Sequence, residues 1–159
     1  MFANVDHSHP DVRRDLFHWV EWLGSQFKLG GLRIDAIKHY SASFLRDLME
    51  HIDKTVGRDW FMVGEYWRPD AKVLSEYIEY MNNRLSLFDV PLVESFSKIS
   101  RRIEPDMRRI FDGSLAVIKP ANAVVSSSSV SFDQTRIITS AIDFRCKSRY
   151  CKPPSTFVI

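Results

Sequence analysis

Apolar residues recur along this chain at spacings that predict helices alternating with short buried strands. The first helix follows Ser8, which has the side chain of an N-cap, and extends to about Phe27. Its apolar positions, three or four residues apart, are Val12, Leu16, Val20 and Leu23. A second helix is predicted after Ser41 or Ser43, and it ends at Gly57 because glycine commonly terminates a helix.

Short apolar segments predict three strands, and the second is continuous rather than alternating, as expected for a strand that is covered on both faces. The strands span about residues 30–36, 60–63 and 85–90, and Pro91 closes the last of them. Further helical segments are predicted at residues 69–81, 96–99 and 107–111. Strands that alternate with helices indicate an α/β fold with a parallel sheet of right-handed βαβ units. A doubly wound sheet and a (β/α)8 barrel both fit this order of elements.

Composition narrows the function only slightly. The 159 residues suffice for one domain, and a net charge of +2 favours no polyanionic partner such as nucleic acid. No apolar run approaches the roughly 18 residues of a membrane span, so no membrane association is expected. The first residues lack the basic start and apolar stretch of a signal peptide, which makes the chain as given cytoplasmic by expectation. No glycine-rich phosphate-binding motif occurs in the sequence.

The regular pattern stops after Val124. Four serines at 126–129 lead into a segment without a clear period, which holds five basic and two acidic residues. We therefore predict a structured domain over residues 1–124 and an irregular tail over residues 125–159. Both cysteines, Cys146 and Cys151, lie in this tail, and two thiols are too few for a disulfide framework or a zinc site.

Two carboxylates lie where predicted strands end. Asp35 follows the first strand, and Glu65 follows the second strand 30 residues later. Because parallel strands lie about 4.8 Å apart and bind ligands at their carboxyl ends, the two groups would face each other across roughly 5 Å. Retaining glycosidases have carboxylates ~5–5.5 Å apart. Arg33, on the same face as Asp35, would keep that carboxylate ionised as a nucleophile, while the aromatic residues after Glu65 would suit a general acid.

Simpler interpretations of the same residues stay open. Asp35 can cap the next helix or only pair with Arg33, and Glu65 can be a solvated charge at a strand end. Ordinary structural roles are equally open to Lys38, His39 and Trp67.

Three motifs resemble one enzyme family. Residues 31–39 (GLRIDAIKH) are similar to the second conserved region of the α-amylase family of glycoside hydrolases, and residues 63–67 (VGEYW) to the third. Residues 4–12 (NVDHSHPDV) resemble the stretch just upstream in liquefying-type bacterial and related fungal α-amylases. The resemblance implies a (β/α)8 barrel and retaining hydrolysis of α-1,4-glucosidic bonds in starch or glycogen, a reaction of carbohydrate metabolism.

The resemblance also implies roles for individual residues. Asp35 matches the nucleophile, Glu65 the general acid/base, and Arg33 the arginine that positions the nucleophile. Contacts with an α-glucan substrate are implied for Lys38, His39 and Trp67. Calcium is the implied cofactor, with the backbone carbonyl of His39 and the carboxylate of Asp6 in the metal region. Asn4 stands where the family usually has Asp, so the implied metal site is incomplete.

The chain departs from the family pattern in ways that bear on activity. About three of the eight barrel strands are predicted, and the Asn-His-Asp motif with the third catalytic carboxylate, expected after Val124, does not occur. Asp133 is the nearest acidic residue, but nothing around it matches. We therefore expect a partial barrel, and a truncated enzyme with little activity alone. A non-catalytic glucan- or partner-binding remnant and a transglycosylase of the same family stay open, and the oligomeric state is not indicated.

Overall fold

The computed structural model describes residues 5–103, 106–125 and 156–158 of the chain. Strands and helices alternate along it, as the apolar pattern predicts. The strands are β1 (Gly31–Ile34), β2 (Phe61–Gly64), β3 (Ser86–Phe88), β4 (Ala123–Val124) and β5 (Thr156–Val158). The helices are α1 (Pro10–Gln26), α2 (Ala42–Thr55), α3 (Ala71–Tyr80), α4 (Val90–Ser100) and α5 (Leu115–Ile118). Short 3-10 turns occur at Ile37–His39, Met107–Arg109 and Pro120–Asn122.

The sheet is parallel at each strand pair that the described residues define. Its order is β4-β3-β2-β1-β5, and among the described residues neither β4 nor β5 has a second neighbour, as expected of a partial barrel. Leu87 of β3 lies opposite Gly64 of β2 on one side and Ala123 of β4 on the other. The three predicted strands and the α/β fold are confirmed, and the structure adds β4 and β5 to them.

The chain divides into two compact units. One comprises residues 1–62 with 153–159, and the other comprises residues 63–152. Strand β2 contributes its first two residues to the first unit and its last two residues to the second. The predicted boundary at residue 124 follows the loss of sequence pattern, and it stays a prediction.

The first unit packs α1 and α2 against β1. Its fully buried side chains include four at the predicted helical spacing, Val20, Leu45, Met49 and Ile52, together with Leu32 of β1 and Ile37 of the following turn. Ser41 caps α2, as one of the two predicted alternatives, because its hydroxyl accepts a hydrogen bond from the amide of Phe44 at 3.3 Å. The predicted cap of α1 is wrong: Nδ1 of His9 accepts from the amide of Asp11, while Ser8 donates to Asp6 instead.

The second unit packs α3, α4 and α5 around β3 and β4. Asp70 caps α3 by accepting from the amides of Lys72 and Val73. Pro91 lies in the first turn of α4 rather than at the end of a strand, a position where the missing N–H costs nothing. The buried apolar side chains of this unit include Leu74, Ile78, Leu85, Leu87, Leu92 and Leu115.

The predicted tail is described only at its two ends. Val125 is exposed, and Thr156–Val158 form β5, a strand that the prediction of an irregular tail did not contain. Cys146, Cys151 and Asp133 lie outside the described residues. Within the described part of the chain, no helix has the length and apolar character needed to cross a bilayer.

Candidate active site

Arg33 and Asp35 form an ion pair at the end of β1. Their side chains point to the same face because they are two residues apart on an extended chain, and Nη2 of Arg33 lies 3.2 Å from Oδ1 of Asp35. Asp35 directly follows the last strand residue, Ile34, which is buried, whereas the Asp35 carboxylate is 55% exposed. The carboxylate is thus held by a guanidinium at the strand end and stays accessible to a ligand.

The backbone turns sharply just after Asp35. Ala36 adopts the left-handed conformation, with φ at 49°, which ends the strand and starts the 3-10 turn Ile37–His39. Ile37 is fully buried and anchors this turn, while Lys38 and His39 point to the surface. A left-handed alanine is uncommon and costs about 1–2 kcal/mol, so the surrounding contacts must hold the turn in place.

Tyr40 supports this turn, a role that sequence reasoning missed. Its hydroxyl donates a hydrogen bond of 3.0 Å to the backbone carbonyl of Asp35. Burial and, to a smaller extent, the nearby Asp35 carboxylate raise the pKa of the Tyr40 hydroxyl well above its usual range. The only sequence signal was the short distance of five residues from Asp35, which does not by itself indicate a returning chain.

An apolar cleft opens beside Asp35 within the first unit. It has a volume of about 280 Å³, and its polar lining comes from Asp35, Tyr40 and His7. Helices α1 and α2 provide its apolar walls, with Trp19 and Phe44 as the largest side chains. The imidazole of His7 lies 5.1 Å from the ring of Tyr40 and 4.6 Å from that of Phe44. His7 belongs to the motif of residues 4–12, but the sequence indicated no role for it.

Glu65 lies in the second unit, directly after the last residue of β2. It is partly buried, and Gly64 before it is buried. The ring of Tyr66 packs against that of Tyr77 with centroids 4.8 Å apart, and Trp67 is 38% exposed. The second predicted carboxylate is therefore at a strand end, beside aromatic side chains. Its distance from Asp35 stays a prediction.

The described residues do not by themselves form a calcium site. No group of three or more His, Cys, Asp or Glu side chains comes together among them. Oδ1 of Asp6 already accepts from the amide and the hydroxyl of Ser8, at 2.9 and 2.6 Å. These bonds, that of the hydroxyl first, lower the pKa of the Asp6 carboxyl. Calcium is a hard cation that needs six to eight oxygen ligands, so one carboxylate and the carbonyl of His39 are an insufficient set.

Sequence comparison relates the chain to α-amylases. It is 37% identical over 125 residues to the α-amylase of Bacillus licheniformis, a match that covers 78% of this chain and 24% of that protein. It is 34% identical over 125 residues to the cytoplasmic α-amylase of Escherichia coli strain K12, again with 78% of the chain and 25% of the relative. The chain belongs to the α-amylase family. It spans about a quarter of the length of these curated relatives.

Solved α-amylase structures share the fold of the family segment. The Anoxybacillus α-amylase matches with a TM-score of 0.54 and 26% identity over 60% of this chain and 20% of that one. The α-amylase from Geobacillus thermoleovorans, solved with acarbose, matches with a TM-score of 0.54 and 23% identity over 59% of this chain and 20% of its own. No protein-family model matches the chain. The open parallel sheet thus resembles a part of the fold of these α-amylases.

Proposed function

We propose that this α-amylase family chain carries the nucleophile and the general acid/base for retaining hydrolysis of α-1,4-glucosidic bonds. The observation that supports this most directly is the ion pair between Arg33 and Asp35 at the carboxyl end of a parallel strand. Ligand sites in parallel α/β sheets lie at that edge. In this proposal Arg33 holds the carboxylate in place, so that one of its oxygens faces the substrate.

Two displacements follow from these roles. An oxygen of Asp35 attacks the anomeric carbon of the glucosyl unit, and the bond to the leaving sugar breaks as Glu65 gives its proton to the departing oxygen. The product of this step is a glucosyl ester on Asp35 with Glu65 ionised. Glu65 then takes a proton from water, the water oxygen attacks the same carbon, and the ester bond breaks to restore the carboxylate of Asp35.

Substrate contacts belong to the same proposal. Lys38 and His39 are exposed beyond the buried anchor Ile37, where they can contact sugar hydroxyls. Trp67 has more than a third of its surface exposed, which suits packing against the face of a sugar ring. Calcium, in this proposal, would bind the His39 carbonyl and the Asp6 carboxylate together with further ligands that the described residues do not supply. It would stabilise the loops around the site, and no step depends on it.

We propose that the 159-residue chain alone turns over slowly or not at all. The third carboxylate of the family motif does not occur after Val124, and that group normally stabilises the charge on the sugar in the transition state. An open sheet also holds the site less rigidly than a closed barrel. An intact family enzyme would combine this segment with the remaining strands.

Trapping of the ester intermediate tests the nucleophile without requiring fast turnover. The purified chain is incubated with a 5-fluoro-α-glucosyl fluoride, which forms an ester that hydrolyses slowly, and the adduct is located by mass spectrometry. We expect labelling at Asp35 that is lost in Asp35→Asn and kept in Asp47→Asn, a control at an ion pair between α1 and α2. Labelling that persists in Asp35→Asn would contradict the assignment of the nucleophile.

A binding role without catalysis is the second candidate. The partly exposed aromatic residues Tyr66 and Trp67 after β2 favour it, because such rings form platforms for sugars. Calorimetric titration with maltooligosaccharides separates the catalytic role from the binding role. Binding to both the wild type and Asp35→Asn, without formation of any product, supports a binding role alone. Product analysis by chromatography distinguishes hydrolysis from transglycosylation, since the latter yields longer chains. Localisation of the chain in the cytoplasm stays a prediction.

A further inference from the structure

The outer edge of β1 is covered by the end of the chain. Strand β5 lies parallel to β1, with Thr156 opposite Gly31, Phe157 opposite Leu32 and Val158 opposite Arg33. The other edge of β1 is occupied as well, since the amide of Phe61 donates a hydrogen bond of 2.8 Å to the carbonyl of Gly30. The strand that precedes Asp35 therefore has a neighbour on each side, β5 and the first residues of β2, which belong to the first unit.

The properties of β1 explain why an uncovered edge would be unfavourable. Leu32 and Ile34 are at most 4% exposed, so the strand is apolar and buried. The alternate N–H and C=O groups along its outer side need hydrogen-bond partners, because a buried backbone group without one costs about 1–3 kcal/mol. An uncovered apolar edge of this kind is a template for any extended segment that reaches it.

The last residues of the chain have the composition of such a segment. Residues 153–159 (PPSTFVI) carry no charged side chain, and they end in β-branched and aromatic residues, which favour extended strands. The two prolines precede β5 rather than interrupt it, so the amides of Thr156–Val158 are all available to donate.

We propose that the outer edge of β1 is a strand-binding surface, and that its partner is a short uncharged segment in parallel orientation, supplied here by the chain's own C-terminus. β5 then takes the place of a neighbouring barrel strand on this side of β1. While it is bound, no other strand can pair with this edge. This inference rests on strand pairing alone, and it holds whether or not the chain acts on glucans.

Amide hydrogen exchange measured residue by residue on the full chain tests the pairing. Successive amides of a β-strand point to opposite neighbours, so protection at both Leu32 and Arg33 requires a partner on each side of β1. We expect both amides to exchange slowly. Slow exchange at only one of the two, with the other as fast as the exposed residue Lys38, would overturn the proposal.

Proline substitutions then test whether β5 is the partner. Within β5 only alternate amides face β1. Of Phe157→Pro and Val158→Pro, one therefore removes an N–H group that faces β1 and the other removes an N–H group that faces away from it. The variant that removes the N–H group facing β1 should accelerate exchange at the β1 amide on the β5 side by about tenfold, as expected for loss of one backbone hydrogen bond. The other variant should have a clearly smaller effect. Equal exchange in the wild type and both variants would show that β5 does not protect the edge. If both variants unfold, the wild-type pattern alone decides.

A peptide in trans identifies the chemistry of the partner. A fluorescently labelled peptide with the sequence of residues 153–159 is titrated against the proline variant that accelerates exchange and against the wild type. We expect binding to the variant that is about tenfold tighter than to the wild type, because β5 competes for the edge in the wild type. A matched peptide that carries the same proline substitution as that variant controls for nonspecific binding. Equal binding of both peptides, or equal affinity for both chains, would argue against a strand-binding edge.

Discussion

The carboxylate of Asp89 accepts a hydrogen bond of 3.0 Å from the backbone amide of Leu115, which follows 26 residues later in the chain. The same carboxylate accepts from the amides of Ala116 at 2.8 Å and of Leu92 at 3.1 Å. Asp89 is 1% exposed and thus caps the starts of both α4 and α5 from inside the second unit. One buried side chain therefore connects two helices that are distant in sequence.

Replacing this carboxylate should destabilise the second unit strongly. In Asp89→Ala three amides, two of them in buried hydrogen bonds, lose their acceptor, and we expect a loss of about 3 kcal/mol or more in the free energy of unfolding. Urea denaturation followed by circular dichroism measures this loss. Asp70→Ala is the matched control, since Asp70 caps α3 with two bonds at an exposed position and should cost only about 1 kcal/mol. Similar losses in the two variants would contradict the role of Asp89.

Gly31 is required by the close approach of two backbones. A Cβ at this position would overlap with the carbonyl oxygen of Phe61, a backbone atom that cannot rotate away. We expect Gly31→Ala to lower the free energy of unfolding by about 2 kcal/mol or more, as for other overpacked sites. Gly24→Ala in α1 is the comparison: its Cβ would approach Val56 to 2.7 Å, so a side chain rather than a backbone carbonyl has to shift, and alanine gains helix propensity. A smaller loss at Gly31 than at Gly24 would be evidence against this explanation.

The left-handed backbone of Ala36 provides a prediction of opposite sign. Since a Cβ disfavours this conformation, Ala36→Gly removes strain at the turn after Asp35, and we expect stabilisation by about 0.5–1 kcal/mol. Ala36→Val should destabilise the chain, because a β-branched residue tolerates positive φ least. Thermal or urea unfolding of both variants gives the two signs. Destabilisation by glycine would show that the turn is not strained.

Local patterns predicted most of the helices and strands, and they failed where distant residues decide. The spacing of apolar residues and the hydroxyl of Ser41 are local signals, and the structure confirms α2 and its cap. Ser8 appeared equally suited as a cap, but Asp6 is close enough to take its hydroxyl, which leaves the cap to His9. No glycine or asparagine adjoins Ala36 to indicate a left-handed turn, and the turn depends instead on the burial of Ile37 and on the hydrogen bond of Tyr40.

The strand β5 shows the same limit more clearly. Its pairing with β1 joins residues more than a hundred positions apart, and three residues are too few to produce a detectable alternation. The candidate site likewise combines local features, which the sequence predicts, with features that depend on the packing of distant residues. Asp35 and Glu65 were predicted at strand ends and are found there, since strand ends are a local property. Tyr40 and the cleft beside it depend on how α1 and α2 pack, which no motif encodes.

Tyr40 gives the last prediction, which concerns pH. Its raised pKa means that the folded state holds the phenolic proton after the unfolded chain, with a tyrosine pKa near 10, has begun to release it. The contribution to stability is thus fully present below about pH 10 and is lost as the pH rises through the folded pKa. Tyr40→Phe should cost about 1 kcal/mol at neutral pH through the lost hydrogen bond to Asp35. It should also remove the Tyr40 part of the decline above pH 10, so that the difference from the wild type shrinks there.

Urea unfolding at pH 7, 9.5 and 10.5 measures both effects. Asp35→Asn is the control: it keeps the carbonyl acceptor but removes the charge, so the Tyr40 pKa should fall part of the way while the neutral-pH bond persists. If Tyr40→Phe loses as much stability above pH 10 as the wild type does, then groups other than Tyr40 cause that loss.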